Sequence, residues 1–229
     1  MGKKHQKYQR LLGRCKSLPP SPTAVAHPCD ESSLKGAVEA AELKLLQPIL
    51  AGPRNKIEPL AKQLGIDVSR YEIVEAPHSH ASAEAATRLV HEGKAEMLMK
   101  GSLHTDELPG AVVARGTVLR TARRISHCFI KDVPTLEEAL IITDAAVNIF
   151  PTLEDKVHIT QNAIDLAHAL GKLQPKVAIS SAMETVNLKV PSTIEAAALC
   201  KMAHRGQITG GRTSRHPRGS RPGSRQHAG

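Results

Sequence analysis

Residues 98–108 read Leu-Met-Lys-Gly-Ser-Leu-His-Thr-Asp-Glu-Leu, and the organisation of the chain follows from how this stretch is understood. A short apolar run, Met97 to Met99, ends abruptly in Lys100-Gly101-Ser102, and His104, Thr105, Asp106 and Glu107 follow at once. That is the pattern of a buried strand emptying into a loop. Gly101 lets the backbone approach a ligand closely, Ser102, Thr105 and free backbone N–H groups can hold anion oxygens, and Lys100 supplies positive charge. The same residue types also make an ordinary strand-to-helix turn capped by Ser102 or Thr105, because capping and phosphate-binding residues overlap. Both readings stand on this stretch alone.

Upstream, strand and helix patterns alternate. A short run from Thr23 to His27 reads as a strand, after which Asp30, Ser32 and Ser33 offer N-caps to a helix whose Ala37, Ala40, Ala41 and Leu45 recur at three and four. Pro48 to Gly52 reads as a second strand, Lys56 to Leu64 as a helix stopped by Gly65, and Tyr71 to Ala76 as a third strand. A helix through Glu84 to His91, stopped by Gly93, then leads into the Met97 strand. Alternation at this spacing predicts a parallel sheet with crossover helices.

Downstream of a basic connection, Arg115 to Arg124, the same logic predicts strands at 125–130 and 139–144, the second apolar until it delivers Asp144. Thr152 and Asp155 form a capping box for a helix to Leu170, Lys176 to Ser180 reads as a buried strand, and Ser192 with Glu195 forms a second capping box for a helix to His204. Parallel sheets bind ligands at the carboxyl ends of their strands, so Lys100 to Thr105, Asp144 and Ser180 to Thr185 are expected to share one cleft.

At 229 residues and 41% apolar content the chain is long enough for one good-sized core, and with aromatics at 2% that core must be filled by Ala, Leu, Ile and Val. The net charge of +9 is concentrated at the ends: six basic residues and no acid in 1–29, five arginines and no acid in 212–229. Residues 30–211 carry 20 basic against 22 acidic side chains, which argues against a specific nucleic-acid surface. No apolar run reaches membrane-spanning length, and no apolar segment follows the N-terminal Lys-rich stretch, so the expected location is the cytoplasm. Cys15, Cys29, Cys128 and Cys200 are scattered without a CxxC pair, which fits reduced thiols. His78 and His80 alternate beside a proline and read as polar surface rather than metal ligands; no metal is expected. Residues 212–229, all Arg, Gly, Ser, Pro and other polar or small types, have no apolar periodicity and are expected to be disordered.

The stretches LMKGSLHTDEL, LRTARRISHCFI, LIITDAAVNI, KVHITQNAIDLAHALG and KVAISSAMETVNLKVPSTIEAAALCKMAHRGQITGG together resemble the phosphate acetyl/butyryl transferase family, over residues 7–211. HPCDESSLKGAVEAAEL near the front is similar to the version found fused to, or standing beside, an enoyl-CoA hydratase-like domain. The resemblance implies a two-lobed α/β architecture of parallel sheets, similar to isocitrate and isopropylmalate dehydrogenases, with the active site between the lobes, and a homodimer. It implies the reaction acyl-CoA plus phosphate giving acyl phosphate plus CoA, with the CoA thioester as substrate and no metal or redox cofactor. An enoyl-CoA hydratase-like or acetate kinase-type protein is the expected pathway partner.

Within that frame Lys100, Gly101, Ser102, His104 and Thr105 are expected to hold phosphate or the thioester oxygen, Asp144 to contribute at the end of its strand, and Ser180, Ser181 and Thr185 to form a second phosphate contact. Arg120, Arg123 and Arg124 are candidates for the CoA phosphates, with a solvated face the competing reading for the last two. Glu184 and Asn187 are left unassigned. The expected organisation is a basic segment over 1–20, a transferase domain over 21–211 with a first lobe at about 21–133 and a partial second lobe at about 134–211, and the Arg-rich tail. Family members continue beyond QITGG with residues that act on the thiol and the carbonyl. The expectation is therefore a chain truncated by a frameshift near Gly211, with open sheet edges and exposed apolar faces, so that an inactive remnant that binds CoA or phosphate, or pairs with a full-length subunit, is the alternative.

Overall fold

The structure is a computed structural model that describes residues 6–104, 106–114, 119 and 121–215. It is α/β and divides into two compact units between Ala122 and Arg123. Helix α1 (Gln6–Cys15) buries none of its residues.

The unit containing residues 8–122 alternates β1 (Ser21–Ala26), α2 (Glu31–Glu42), β2 (Leu46–Gly52), α3 (Arg54–Leu64), β3 (Glu72–Glu75), α4 (Ser79–His91), β4 (Met97–Lys100) and α5 (Glu107–Val113). The strands form one parallel sheet in the order β3-β2-β1-β4. Because strand side chains alternate, each strand feeds two cores. Ala24, Ala26 and Ala51 pack with Ala83, Ala85, Ala86 and Leu89 of α4 and Leu108 of α5, while Val25 and Leu50 pack with Leu34 and Ala37 of α2 and Ile57 and Ala61 of α3. Alanines on both sides of the first interface let a helix lie close to the sheet without aromatic filling.

Local signals explain the boundaries. Asp30 caps α2 by accepting the Ser33 amide at 2.7 Å, and Gly65 (φ +68°) closes α3 in the left-handed conformation. Helix α4 begins at Ser79, five residues ahead of the sequence expectation, because the imidazole Nδ1 of His78 accepts the Ala81 amide and serves as its cap.

The unit from Arg123 onward contains β5 (Phe129–Lys131), β6 (Leu140–Ile142), α6 (Leu153–Ala169), β7 (Lys176–Ile179), α7 (Pro191–His204) and β8 (Arg212–Arg215). Ile164, Leu199 and Ile208 are its buried core, with Leu153, Val157, Val177 and Met202 packed around them. The expectation of parallel strands at 125–130 and 139–144 is corrected: β5 and β6 are three residues each and antiparallel. Eight residues join them, too few for a parallel crossover, which needs a dozen or more. Residues 124–127 are held instead by side chains, with the amides of Asn162 and Asn148 donating to the carbonyls of Arg124 and Ile125 and the Thr143 hydroxyl to that of His127.

The Thr152–Asp155 capping box forms as expected. The Ser192–Glu195 box does not. Helix α7 starts at Pro191, the position where proline's missing N–H is harmless, while Ser192 Oγ bonds to Ser181 Oγ at 2.9 Å and Glu195 pairs with Lys156. Strand β8 pairs in parallel with β7 and lies within the first four residues of the segment read as tail. In this unit Ile149, Phe150, Leu173 and Leu188 are each more than 80% exposed, which agrees with the expected open apolar surface. Among the described residues no helix is long and apolar enough to cross a membrane.

Leu50 is fully buried between β2 and α2/α3, so Leu50→Ala is expected to lower unfolding free energy by about 2–5 kcal/mol, whereas Ile149→Ala should change it by less than about 0.5 kcal/mol. Urea denaturation of the two variants checks this division between core and surface.

Candidate active site

The strand order places a topological switch at the carboxyl ends of β1 and β4. The chain steps outward from β1 to β2 and β3, then returns to the other side of β1 as β4, so the loops leaving β1 and β4 diverge there. Both loops carry polar residues: His27 to Asp30 after β1, and Gly101 to His104 after Lys100.

The two loops are pinned through His27. Its amide donates to the Ala51 carbonyl at 2.7 Å, and its own carbonyl accepts the Ser102 amide (2.9 Å), the Ser102 hydroxyl (2.8 Å) and the Cys29 amide (2.8 Å). His27 adopts φ +56°, an uncommon backbone state for a residue with a side chain and one that surrounding structure must enforce. Gly101 is required by the same junction. A Cβ there would lie 2.5 Å from both the Ala26 and the His27 carbonyl oxygens. Ser102 thus spends its hydroxyl proton on the backbone, and its contribution is to fix the loop, while Lys100 is exposed, with its ammonium 3.4 Å from the Gly101 carbonyl and its charge felt by Asp30.

The His27 ring is also fixed. Ser82 Oγ lies 2.8 Å from the His78 carbonyl and 3.0 Å from His27 Nδ1, so the hydroxyl bridges the two, donating to one of them, with the ring's role set by its tautomer. Burial pushes the imidazole pKa down, and the nearby charge of Lys56 pushes the same way. Burial likewise pushes the Cys29 thiol up, keeping it protonated. Beside this, Glu107 joins α5 to the loop: its carboxylate takes the Ser79 hydroxyl and the His104 amide, each at 2.7 Å, and these bonds hold it below the usual carboxylate range. His104 thus contributes its backbone to the loop. Thr105 lies outside the described residues. A groove of about 280 Å³ between α4 and α5 is lined by His80, Glu84, Arg88, His91 and Glu107 among others, and takes in none of the residues expected to hold phosphate or coenzyme A.

In the unit from Arg123 onward, the Asp144 carboxylate follows β6 and closes a turn. It accepts the amides of Ala146 and Val147 at 3.0 Å, the Asn148 amide at 3.2 Å and the Asn148 side chain. Burial pushes its pKa up, but these bonds outweigh that and leave it below the ordinary value. Arg123 is paired with Asp165, and Arg124 with Asp155 at 3.3 Å and with Asn148 at 2.6 Å, so both guanidinium groups lie against α6 rather than on a purely solvated face. Ser181 bonds to Ser192, while Ser180 and Thr185 are exposed. Asn187 accepts Thr193 and Lys189 donors and shapes the turn into α7. Arg120 lies outside the described residues. Among the described residues no group of three or more His, Cys, Asp or Glu side chains is placed to hold a metal ion.

Sequence reasoning missed His27, Ser82 and Asn148, and named Glu107 in the polar cluster without giving it a role. His27 was visible as the polar residue ending an apolar strand, the same signal that singled out Lys100 and Asp144; nothing in the sequence paired it with Ser82, 55 positions away.

Two stability outcomes follow. Gly101→Ala drives a methyl group into two backbone carbonyls and is expected to cost at least about 2 kcal/mol, read as a fall in melting temperature. Because His27 is held neutral with its folded-state pKa below the unfolded value near 6.5, the unfolded chain takes up the proton first as pH falls, so stability is full above that value and declines below it. Urea midpoints at pH 8 and pH 5.5 are expected to differ more for the wild type than for His27→Asn.

Residues 80–211 match the family model described as phosphate acetyl/butaryl transferase. The chain is 60% identical over 205 residues to the phosphate acetyltransferase of Rhizobium meliloti, covering 90% of this chain and 65% of that protein. It is 38% identical over 203 residues to the phosphate butyryltransferase of Clostridium beijerinckii, covering 89% of this chain and 67% of the relative. Among solved structures, a branched-chain phosphotransacylase from Enterococcus faecalis V583 superposes with a TM-score of 0.70 at 26% identity, covering 86% of this chain and 68% of that one. The chain thus spans a little under two thirds of the length of its Rhizobium meliloti relative. A model matching more than half the chain, together with these relatives, means that the chain belongs to the phosphate acetyl/butyryl transferase family.

Proposed function

We propose that this chain moves an acyl group between coenzyme A and inorganic phosphate, acyl-CoA plus phosphate giving acyl phosphate plus CoA, with an acetyl or butyryl group. The observation that carries the proposal is 60% identity to a phosphate acetyltransferase across nine tenths of this chain, over the residues that build both candidate loops. The chemistry of the loops supports it. The carboxyl edge at β1 and β4 offers the Lys100 ammonium beside backbone fixed by Gly101 and Ser102, and the loop after β7 offers the exposed hydroxyls of Ser180 and Thr185. Preorganised donors of this kind lower the barrier by meeting charge that develops in the transition state, without having to reorganise when it appears. The thioester is a substrate in this scheme. No redox cofactor is needed, because phosphate attack on a thioester neither oxidises nor reduces any atom, and the proposal assigns no step to a metal ion. A cytoplasmic homodimer working with an enzyme that makes or consumes the acyl phosphate or the acyl-CoA completes the proposal.

A second reading, an inactive remnant that binds CoA or phosphate or pairs with a full-length subunit, is favoured by the exposed Ile149, Phe150, Leu173 and Leu188. The test is release of CoA thiol from acetyl-, propionyl- and butyryl-CoA by folded protein, with and without phosphate. Phosphate-dependent release is expected, with Lys100→Gln at least about tenfold slower, the loss of one charge-assisted bond. Absence of release from folded protein selects the remnant.

A further inference from the structure

We propose that Lys56 is a second phosphoryl-binding cation at the carboxyl edge of the sheet, on the far side of β1 from Lys100. The inference rests on the proposed function and adds to it a residue of a third loop, the one that leaves β2.

The first observation is position. The strand register aligns Ala26 of β1 with Lys100 of β4 on one side and with Ala51 of β2 on the other, so the two outer positions lie about 10 Å apart. Lys56 follows Ala51 closely, in the first turn of α3. Both ammonium groups act on the one loop between their strands, His27 to Asp30. After burial, Lys56 is the next influence on the His27 ring and on the Cys29 thiol, while Lys100 adds to the Ser33 hydrogen bonds that hold the Asp30 carboxyl down. Two positive charges therefore flank the place where parallel sheets receive ligands.

The second observation is the charge inventory. Carboxylates near this edge are already engaged: Asp30 accepts the Ser33 amide at 2.7 Å, Glu75 the Arg54 amide at 3.2 Å, Glu58 the Arg54 guanidinium at 2.7 Å, and Glu107 the Ser79 hydroxyl and the His104 amide. Lys56 and Lys100 are exposed, and among the described residues neither has a carboxylate within ion-pair distance. An oxyanion from solution supplies the counter-charge.

The third observation is that Lys56 works against its own helix. The first turn of α3 carries no acidic residue, and the amides at a helix N-terminus present partial positive charge, so a cation there lowers helix stability. Local rules of this kind are broken mostly at functional sites. The same amides favour a bound anion, which relieves the conflict.

The ligand such an arrangement takes is a phosphoryl group, and the proposed reaction offers two sources, inorganic phosphate and the nucleotide end of coenzyme A. A lysine suits either, as a point charge on a flexible stem. Its role is binding, with no bond made or broken at Nζ.

The test measures binding, so its outcome does not depend on turnover. Inorganic phosphate and adenosine 3′,5′-bisphosphate, the nucleotide end of coenzyme A, are titrated calorimetrically into the wild type, Lys56→Gln and, as a control on the exposed surface of the same helix, Lys62→Gln. Lys56→Gln is expected to weaken at least one probe by about tenfold or more, the loss of one charge-assisted contact, and the probe affected identifies the source. Its melting temperature is expected to hold or rise, because an unfavourable charge leaves the helix N-terminus. A folded Lys56→Gln protein that binds both probes within about twofold of wild type overturns the proposal, as does a wild type that binds neither. An equal loss in Lys62→Gln marks general attraction to positive surface and overturns it too, and a lowered melting temperature alongside the lost affinity makes Lys56 a structural residue instead. If the wild type releases no CoA from acyl-CoA yet Lys56→Gln alone loses a probe, the transacylase reading fails and the phosphoryl site at Lys56 stands.

Discussion

The carboxyl edge of the parallel sheet depends on one oxygen atom, the carbonyl of His27. Two amides and a hydroxyl converge on it, from Cys29 and Ser102, and they join the loop leaving β1 to the loop leaving β4 at the point where the two diverge. Because the oxygen must face both loops, the residue that bears it adopts φ +56°, and because β4 must pass close beside it, position 101 must be glycine. The strain is sustained from below. Val25 and Ala26 are fully buried between the two helical layers, so β1 has no alternative path to relax along.

From that junction the polar chemistry extends through side chains rather than strands. Ser82 on α4 links the His27 ring to the His78 carbonyl, His78 caps α4, and Glu107 ties the start of α5 to the His104 amide and to Ser79. In the unit from Arg123 onward the same strategy operates around Asp144 and Asn148, whose side chains bind the backbone where the antiparallel ladder of β5 and β6 stops. Carboxylates that accept several backbone donors stay ionised and rigid, so these turns present their neighbouring groups in fixed positions.

Much of this was legible in the sequence. Alternating apolar strands and alanine-rich amphipathic helices specify the parallel sheet of residues 21–100, and Gly65, Asp30 and the Thr152–Asp155 pair mark element ends through local chemistry that does not depend on tertiary context. Lys100, Gly101 and Ser102 were placed at a strand's end correctly, but the role of Ser102 changed, since its proton goes to the His27 carbonyl 75 positions away. Long-range partners of this kind leave no local signature. The same limit explains Ser192 and Glu195: they have the spacing of a capping box, and stronger partners, Ser181 and Lys156, take their side chains. The short hairpin of β5 and β6 was missed because apolar runs alone do not distinguish parallel from antiparallel pairing; the length of the connection between them does.

The proposed reaction is the exchange of a single acyl group between phosphate and CoA. Exchange of ³²P-labelled inorganic phosphate into acetyl phosphate tests it most directly, because the label enters only if the acyl group leaves for CoA and returns. The prediction is label incorporation that requires CoA and vanishes without it. Folded protein that exchanges no label at any CoA concentration, or exchanges it equally well with CoA absent, would contradict the account.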